Sequence, residues 1–284
     1  MRVLHLSDIH LTQDYRGLPL WRMGPRWWKA GYELSFKGRA RAYAKAGETV
    51  RALLAHGQRQ GAVHGVVSGD LTSSATDLEF RLAYEALEEW ARAGKLSVIP
   101  GNHDCHHPAA LSEKRFERYF QAQLHTEFPE HRRVGSYPYV QRVGDEVAVV
   151  GMNSALLPSL PGVAYGRLGK QLEGLAQIVK DPRLASRALL VAVHHAPRRE
   201  DGRPDRRVHA LLDADALLAL LPGPRFAVLH GHIHQRYHHE ATAKAPHLFN
   251  AGSSTQAGRE GGWLIDVEAG RVVGGVPVNV PVGG

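Results

Sequence analysis

Cysteine is almost absent: Cys105 is the single one in 284 residues, so no internal disulfide can form and a structural zinc site built on several thiolates is excluded. That usage fits a reducing compartment, and a cytoplasmic location is expected. No run of 18 apolar residues occurs, and Met1-Arg2 leads straight into the first apolar stretch, so neither a spanning helix nor a signal peptide is expected. Internal repeats, heptad runs and low-complexity linkers are missing as well. With 43% hydrophobic residues the chain can bury a full core, and one domain over residues 1–284 is expected. Nothing in the residues sets an oligomeric state.

Acid is scarce in one place only. Between Arg16 and Lys45 lie eight basic residues and a single acid, Glu33; removing them from the totals of 35 and 28 leaves 27 of each, so this stretch carries the whole net charge of +7. It also holds Trp21, Trp27 and Trp28, and its Gly and Pro residues break it into short pieces. A basic, Trp-rich insertion at about 12–38 is expected. Its aromatics either pack on the domain as a lid, or residues 15–43 meet an anionic membrane surface, which would place the protein at the inner face of the membrane. The neutral remainder argues against nucleic acid as a partner.

What is abundant is a recurring pattern in which an apolar run ends in a burst of Asp, Asn or His. The runs lead into Asp8-Ile9-His10, Gly69-Asp70, Gly101-Asn102-His103-Asp104, His194-His195 and Gly231-His232-Ile233-His234. Each apolar run reads as a short buried strand. The spacing Thr76-Asp77-Leu78-Glu79 predicts a capping box and a helix to about Arg92. Further helices are expected over 39–60, 109–128, 168–179 and 213–221, with strands over 137–142, 146–152, 247–250, 263–267 and 271–278. Strands alternating with helices argue for two packed sheets with helices on both outer faces. The functional crevice then lies beyond the carboxyl ends of the strands, where the polar bursts fall.

The donors on offer are carboxylate, amide oxygen and imidazole. Seven of them, Asp8, His10, Asp70, Asn102, His194, His232 and His234, are too many for one tetrahedral ion and suit two divalent ions sharing a carboxylate. Manganese suits such a set, with iron or zinc as alternatives. Asp8 and His10, two residues apart on extended chain, are expected to face one ion.

These motifs, in this order, resemble those of the calcineurin-type metallophosphoesterases over nearly the whole chain. The resemblance implies a four-layer αββα sandwich of two mixed β-sheets and a two-metal hydrolase that cleaves phosphoesters with a hydroxide held between the ions. Asp8, His10 and His234 would bind the first metal, Asn102, His194 and His232 the second, and Asp70 would bridge them. His103 would act as the general acid, with Asp104 orienting its ring. Ser73 stands where many members have a second aspartate. Gly69-Asp70-Leu71-Thr72 and His194-His195-Ala196-Pro197 resemble instead the branch of class III cyclic nucleotide phosphodiesterases and glycerophosphodiesterases. The choice between His194 and His195 as ligand is open from sequence, and His194 is favoured as the first residue off its strand.

The substrate expected on this reading is a cyclic nucleotide or another small phosphodiester. The alternative is peripheral-membrane hydrolysis of UDP-2,3-diacylglucosamine in lipid A biosynthesis, which the basic insertion would suit. A nuclease or a non-catalytic protein-binding scaffold ranks below both, the latter because every motif histidine is present. His195, His106 and Arg198 are candidates for touching substrate. His56, His64, His125, His131, His209, His238, His239 and His247 lack motif context and read as surface or satisfied core residues.

Overall fold

The computed structural model describes residues 1–13, 39–156 and 163–280, so almost all of the basic, Trp-rich insertion lies outside the described residues. The elements are β1 (Arg2–Leu6), α1 (Arg39–Ala42), α2 (Ala46–Arg59), β2 (Ala62–Val67), α3 (Asp77–Arg92), β3 (Leu96–Val98), α4 (Pro108–Ser112), α5 (Arg115–Phe120), β4 (Tyr139–Val143), β5 (Val147–Gly151), α6 (Gln171–Lys180), β6 (Ala188–Ala192), α7 (Ala214–Ala219), β7 (Phe226–His230), β8 (Arg236–His239), β9 (His247–Ala251), β10 (Gly262–Glu268) and β11 (Arg271–Val278).

They form two mixed sheets, ordered β11-β10-β1-β2-β3 and β4-β5-β6-β7-β9-β8. In the first, β1, β2 and β3 are parallel, β10 runs against them and the edge strand β11, antiparallel to β10, returns to their direction; in the second, β5, β6, β7 and β9 are parallel and both edges are antiparallel. Parallel strands covered on both faces need apolar residues at every position, and β6 shows how alternation divides them. Ala188, Leu190 and Ala192 join the first sheet's residues in one core, while Leu189 and Val191 pack with Leu175 and Ile178 of α6 and Leu217 of α7. On the other flank α2 lies against β1 so closely that a Cβ on Gly57 would sit 2.9 Å from Leu4 Cδ2. The result is the expected sandwich of two mixed sheets flanked by helices.

The capping box forms as the spacing predicts: Thr76 Oγ1 accepts from Glu79 N, and Glu79 Oε2 accepts from Thr76 N. Two expected helices are broken. Residues 39–60 split into α1 and α2, and residues 109–128 split at Lys114, whose left-handed φ of 49° ends one helix before the next begins. Strand β8 has no counterpart in the sequence reading. It is an edge strand in which Tyr237 alone is buried, so it lacks the apolar alternation that announces a strand.

Candidate metal centre

The parallel strands of both sheets deliver the polar bursts to one end of the sandwich. Beyond β1 the chain pairs with the stretch after β2: Asp8 N donates to Gly69 O at 3.0 Å, His10 N to Asp70 O at 3.0 Å and Leu11 N to Leu71 O at 2.8 Å. From the other sheet Gly231 N donates to His194 O at 3.1 Å. Ser253 Oγ and Thr255 Oγ1, just past β9, donate to the carbonyls of Asp8 and Ile9. Hydroxyls and carbonyls thus pin the loops from which the metal-capable side chains project.

Asp8, His10, Asp70, His232 and His234 all have left-handed backbone, with φ of 51°, 41°, 52°, 75° and 52°. Asp8 and His10 therefore do not converge by the alternation of an extended chain, as their spacing suggests; two left-handed residues curl the chain instead. Left-handed backbone in a residue other than glycine costs about 1–3 kcal/mol and persists where the surroundings enforce it, a pattern concentrated at functional sites. Two motif glycines are explained by close approach. A Cβ on Gly101 would lie 2.2 Å from Asp70 Oδ1, and one on Gly231 would lie 2.0 Å from Asp8 Oδ2.

Two groups of donors result. In the first, His234 Nε2 lies 3.1 Å from Asp8 Oδ1, and His10 Nε2 lies 3.2 Å from His234 Nε2, 3.8 Å from Asp8 Oδ1 and 3.7 Å from Asp70 Oδ2. In the second, Asn102 Oδ1 lies 3.0 Å from His194 Nε2 and 2.9 Å from His232 Nδ1, and Asp70 Oδ1 lies 3.4 Å from His194 Nε2. The two oxygens of Asp70 thus face different groups, the geometry a bridging carboxylate requires.

The donor set fits two cations, and the tautomers supply the test. His10 Nδ1 faces the Thr72 carbonyl at 3.2 Å and His194 Nδ1 faces the Ser68 carbonyl at 3.0 Å. A carbonyl only accepts, so both Nδ1 atoms carry protons and both Nε2 lone pairs point at carboxylate or amide oxygen. Lone pairs facing lone pairs in a buried place are satisfied by positive charge. His194 responds to the same field: burial opposes its charging, but Asp70 and Asp8 outweigh burial and raise its pKa to about 9, so a proton competes with a cation for the Nε2 lone pair.

His103 sits at the edge of the first group, its ring centroid 5.0 Å from that of His10 and edge-on at 88°. Its backbone N–H donates to Asp70 Oδ1 at 2.8 Å, and its Nδ1 is 2.8 Å from the Ser73 carbonyl. The orienting role that the sequence reading gave to Asp104 is thus filled, at Nδ1, by the Ser73 carbonyl. Asp104 instead accepts from the backbone N–H groups of Leu71, Thr72 and Gly101 and from Thr72 Oγ1. It knits two loops together, because the turn through 101–104 directs its carboxylate back toward residues 71–72. Burial and the charge of Asp70 push its pKa up to about 7, against the pull of those donors.

Of the three candidates for touching substrate, His106 stacks on His103, with centroids 5.5 Å apart and planes at 5°. His195 packs its ring against a donor, 4.4 Å from that of His232, but turns both nitrogens away: it is fully buried, with Nδ1 2.9 Å from Ser154 Oγ and Nε2 3.0 Å from the Ala164 carbonyl. Arg198 is tied to Asp215 and to the Pro197 carbonyl. A third cluster of ionisable groups, Glu130, His131 and Asp181, is filled by the guanidinium of Arg183, which contacts both carboxylates and makes the cluster an ion-pair network.

Sequence reasoning missed Tyr43, whose hydroxyl lies 2.9 Å from Ser253 Oγ and 3.4 Å from His234 Nδ1, and His209, whose ring lies 5.6 Å from that of His232. Neither stands in a motif; the run Gly252-Ser253-Ser254-Thr255 after a strand was the available signal for the hydroxyl supports.

The sequence pattern of the family described as calcineurin-like phosphoesterase matches residues 1–236. No curated protein matches the chain. Among solved structures, it is similar to a dimetal phosphatase from Danio rerio, at 13% identity and a TM-score of 0.57, covering 98% of each chain. A purple acid phosphatase from yellow lupin (Lupinus luteus) seeds superposes at 9% identity and a TM-score of 0.56, covering 98% of this chain and 53% of that one. A sulfate thiohydrolase from Thermus thermophilus gives 15% identity and a TM-score of 0.51, covering 99% and 56%. At these identities the likeness speaks for the fold.

Proposed function

The chain belongs to the calcineurin-like phosphoesterase family and is a metal-dependent phosphoric ester hydrolase, and from that premise we propose that it hydrolyses small phosphodiesters at a centre of two divalent ions. The observation that carries this reading is the divided Asp70 carboxylate, one oxygen toward His10 and the other toward His194. Asp8, His10 and His234 would hold one ion and Asn102, His194 and His232 the other, with Asp70 shared. Oxygen and imidazole donors suit manganese, with iron or zinc as alternatives. Two such ions supply Lewis-acid polarisation of the phosphoryl group and water at a lowered pKa.

The chain's own residues do the rest. His103 is placed to protonate the leaving oxygen: Ser73 O fixes its Nδ1 as a donor, which leaves Nε2 to exchange the proton. Asp104 holds the loop on which His103 stands, and His106 backs the ring. His234, 28% exposed, and His103 mark the open side from which a substrate enters. A turnover panel on manganese-loaded protein tests the reading, comparing bis-p-nitrophenyl phosphate, cyclic AMP, glycerophosphodiesters and UDP-2,3-diacylglucosamine. Hydrolysis of small diesters is expected; turnover of the lipid nucleotide alone would favour the amphiphile reading, which rests on the +7 charge between Arg16 and Lys45.

A further inference from the structure

His209 stands outside every metal-capable motif, in a segment that also holds Arg199, Arg203, Arg206 and Arg207, yet its ring is set against the centre. The imidazole is exposed to solvent, and its centroid lies 5.6 Å from that of His232 at 49°. Its backbone is tied on both sides. Ala164 N donates to Val208 O at 2.8 Å, Gly166 N to Ala210 O at 3.0 Å, and His209 N itself to Arg206 O at 2.7 Å. The stretch 164–166 is in turn pressed onto His195, where a Cβ on Gly166 would lie 2.3 Å from Nδ1 and where the Ala164 carbonyl meets Nε2 at 3.0 Å. The two adjacent histidines therefore divide the work. His194 faces Asn102 and Asp70, and His195 braces the stretch 164–166 to which the turn carrying His209 is hydrogen-bonded.

An exposed imidazole held on so fixed a backbone is preorganised for a ligand, because little freedom is lost when something binds it. It also completes a symmetry. His103 lies against His10 at one end of the donor cluster, and His209 lies against His232 at the other. Resting on the two-ion reading above, we propose that His209 is a substrate-contacting residue, donating a hydrogen bond to an oxygen of the phosphoester on the His232 side. A phosphoester between the two rings would then meet an N–H donor at each end.

The test compares wild type, His209→Ala and His209→Gln, the last retaining a donor. Manganese content, thermal midpoint, affinity for inorganic phosphate by calorimetry, and kcat and KM for bis-p-nitrophenyl phosphate are measured on each. His209→Ala should keep both ions and its thermal midpoint, bind phosphate about ten- to a hundredfold more weakly, as expected for loss of a hydrogen bond to a charged group, and show the larger change in KM. His209→Gln should recover most of the affinity. Unchanged phosphate affinity in His209→Ala would overturn the proposal, and loss of one ion would make His209 a ligand instead. A wild type that holds fewer than two ions would overturn the two-ion reading and this proposal with it.

Discussion

At the scale of single residues, the loops that carry the donors have no room for added atoms. Gly101→Ala would drive a methyl to 2.2 Å from Asp70 Oδ1, so the variant should fold yet lose metal affinity, as metal analysis after manganese loading would show; normal binding would mean that Asp70 can move freely. His103 differs from the donors in its place, at the edge of the first group with its ring edge-on to His10. His103→Ala should keep its metals and lose about 10²- to 10⁴-fold in rate, the usual worth of a positioned general acid. The loss should shrink for substrates that release p-nitrophenolate, and an equal loss on alkoxide leaving groups would remove His103 from that role. The seven donors are legible in sequence because Asp, Asn and His at strand ends are conspicuous chemistry. Their supports are not, since the carbonyls of Ser68, Thr72 and Ser73 act through backbone, which residue type does not report. Asp104 misleads for a related reason: neighbours in sequence, it and His103 are turned apart by the loop.

At the scale of elements, the helix after β2 and the network after α6 each carry a prediction. Glu79 accepts from Ser74 N as well as Thr76 N, so the capping box anchors the loop whose Ser73 carbonyl orients His103. Thr76→Ala should lower stability by about 0.5–2 kcal/mol, the usual cost of losing such a cap, measured by denaturant unfolding. Near α6, Arg183 holds the Asp181 carboxyl below the usual carboxylate range. A folded-state pKa below the unfolded value of about 3.9 adds stability above that pH and loses it as the pH falls toward the folded value. Asp181→Asn should therefore lower the thermal midpoint at neutral pH, and its gap to wild type should close below about pH 4; a gap that ignores pH would exclude the charge as its cause. Helix and strand identity follow from apolar period wherever one face is buried. They fail at β8, which buries one side chain, and at Lys114, where a left-handed residue interrupts a continuous helical pattern.

At the scale of the whole molecule, two sheets with opposite contributions meet at one end: β1, β2 and β3 deliver Asp8, His10, Asp70 and Asn102, while β6 and β7 deliver His194, His232 and His234. Neither sheet holds a complete donor group, and Asp70 is the residue common to the two groups. The central claim is therefore tested most directly by counting ions on one variant. Manganese-loaded wild type should hold close to two equivalents per chain, and Asp70→Ala, shown to be folded by circular dichroism, should lose both. An Asp70→Ala protein that keeps two tightly bound ions would contradict the shared centre.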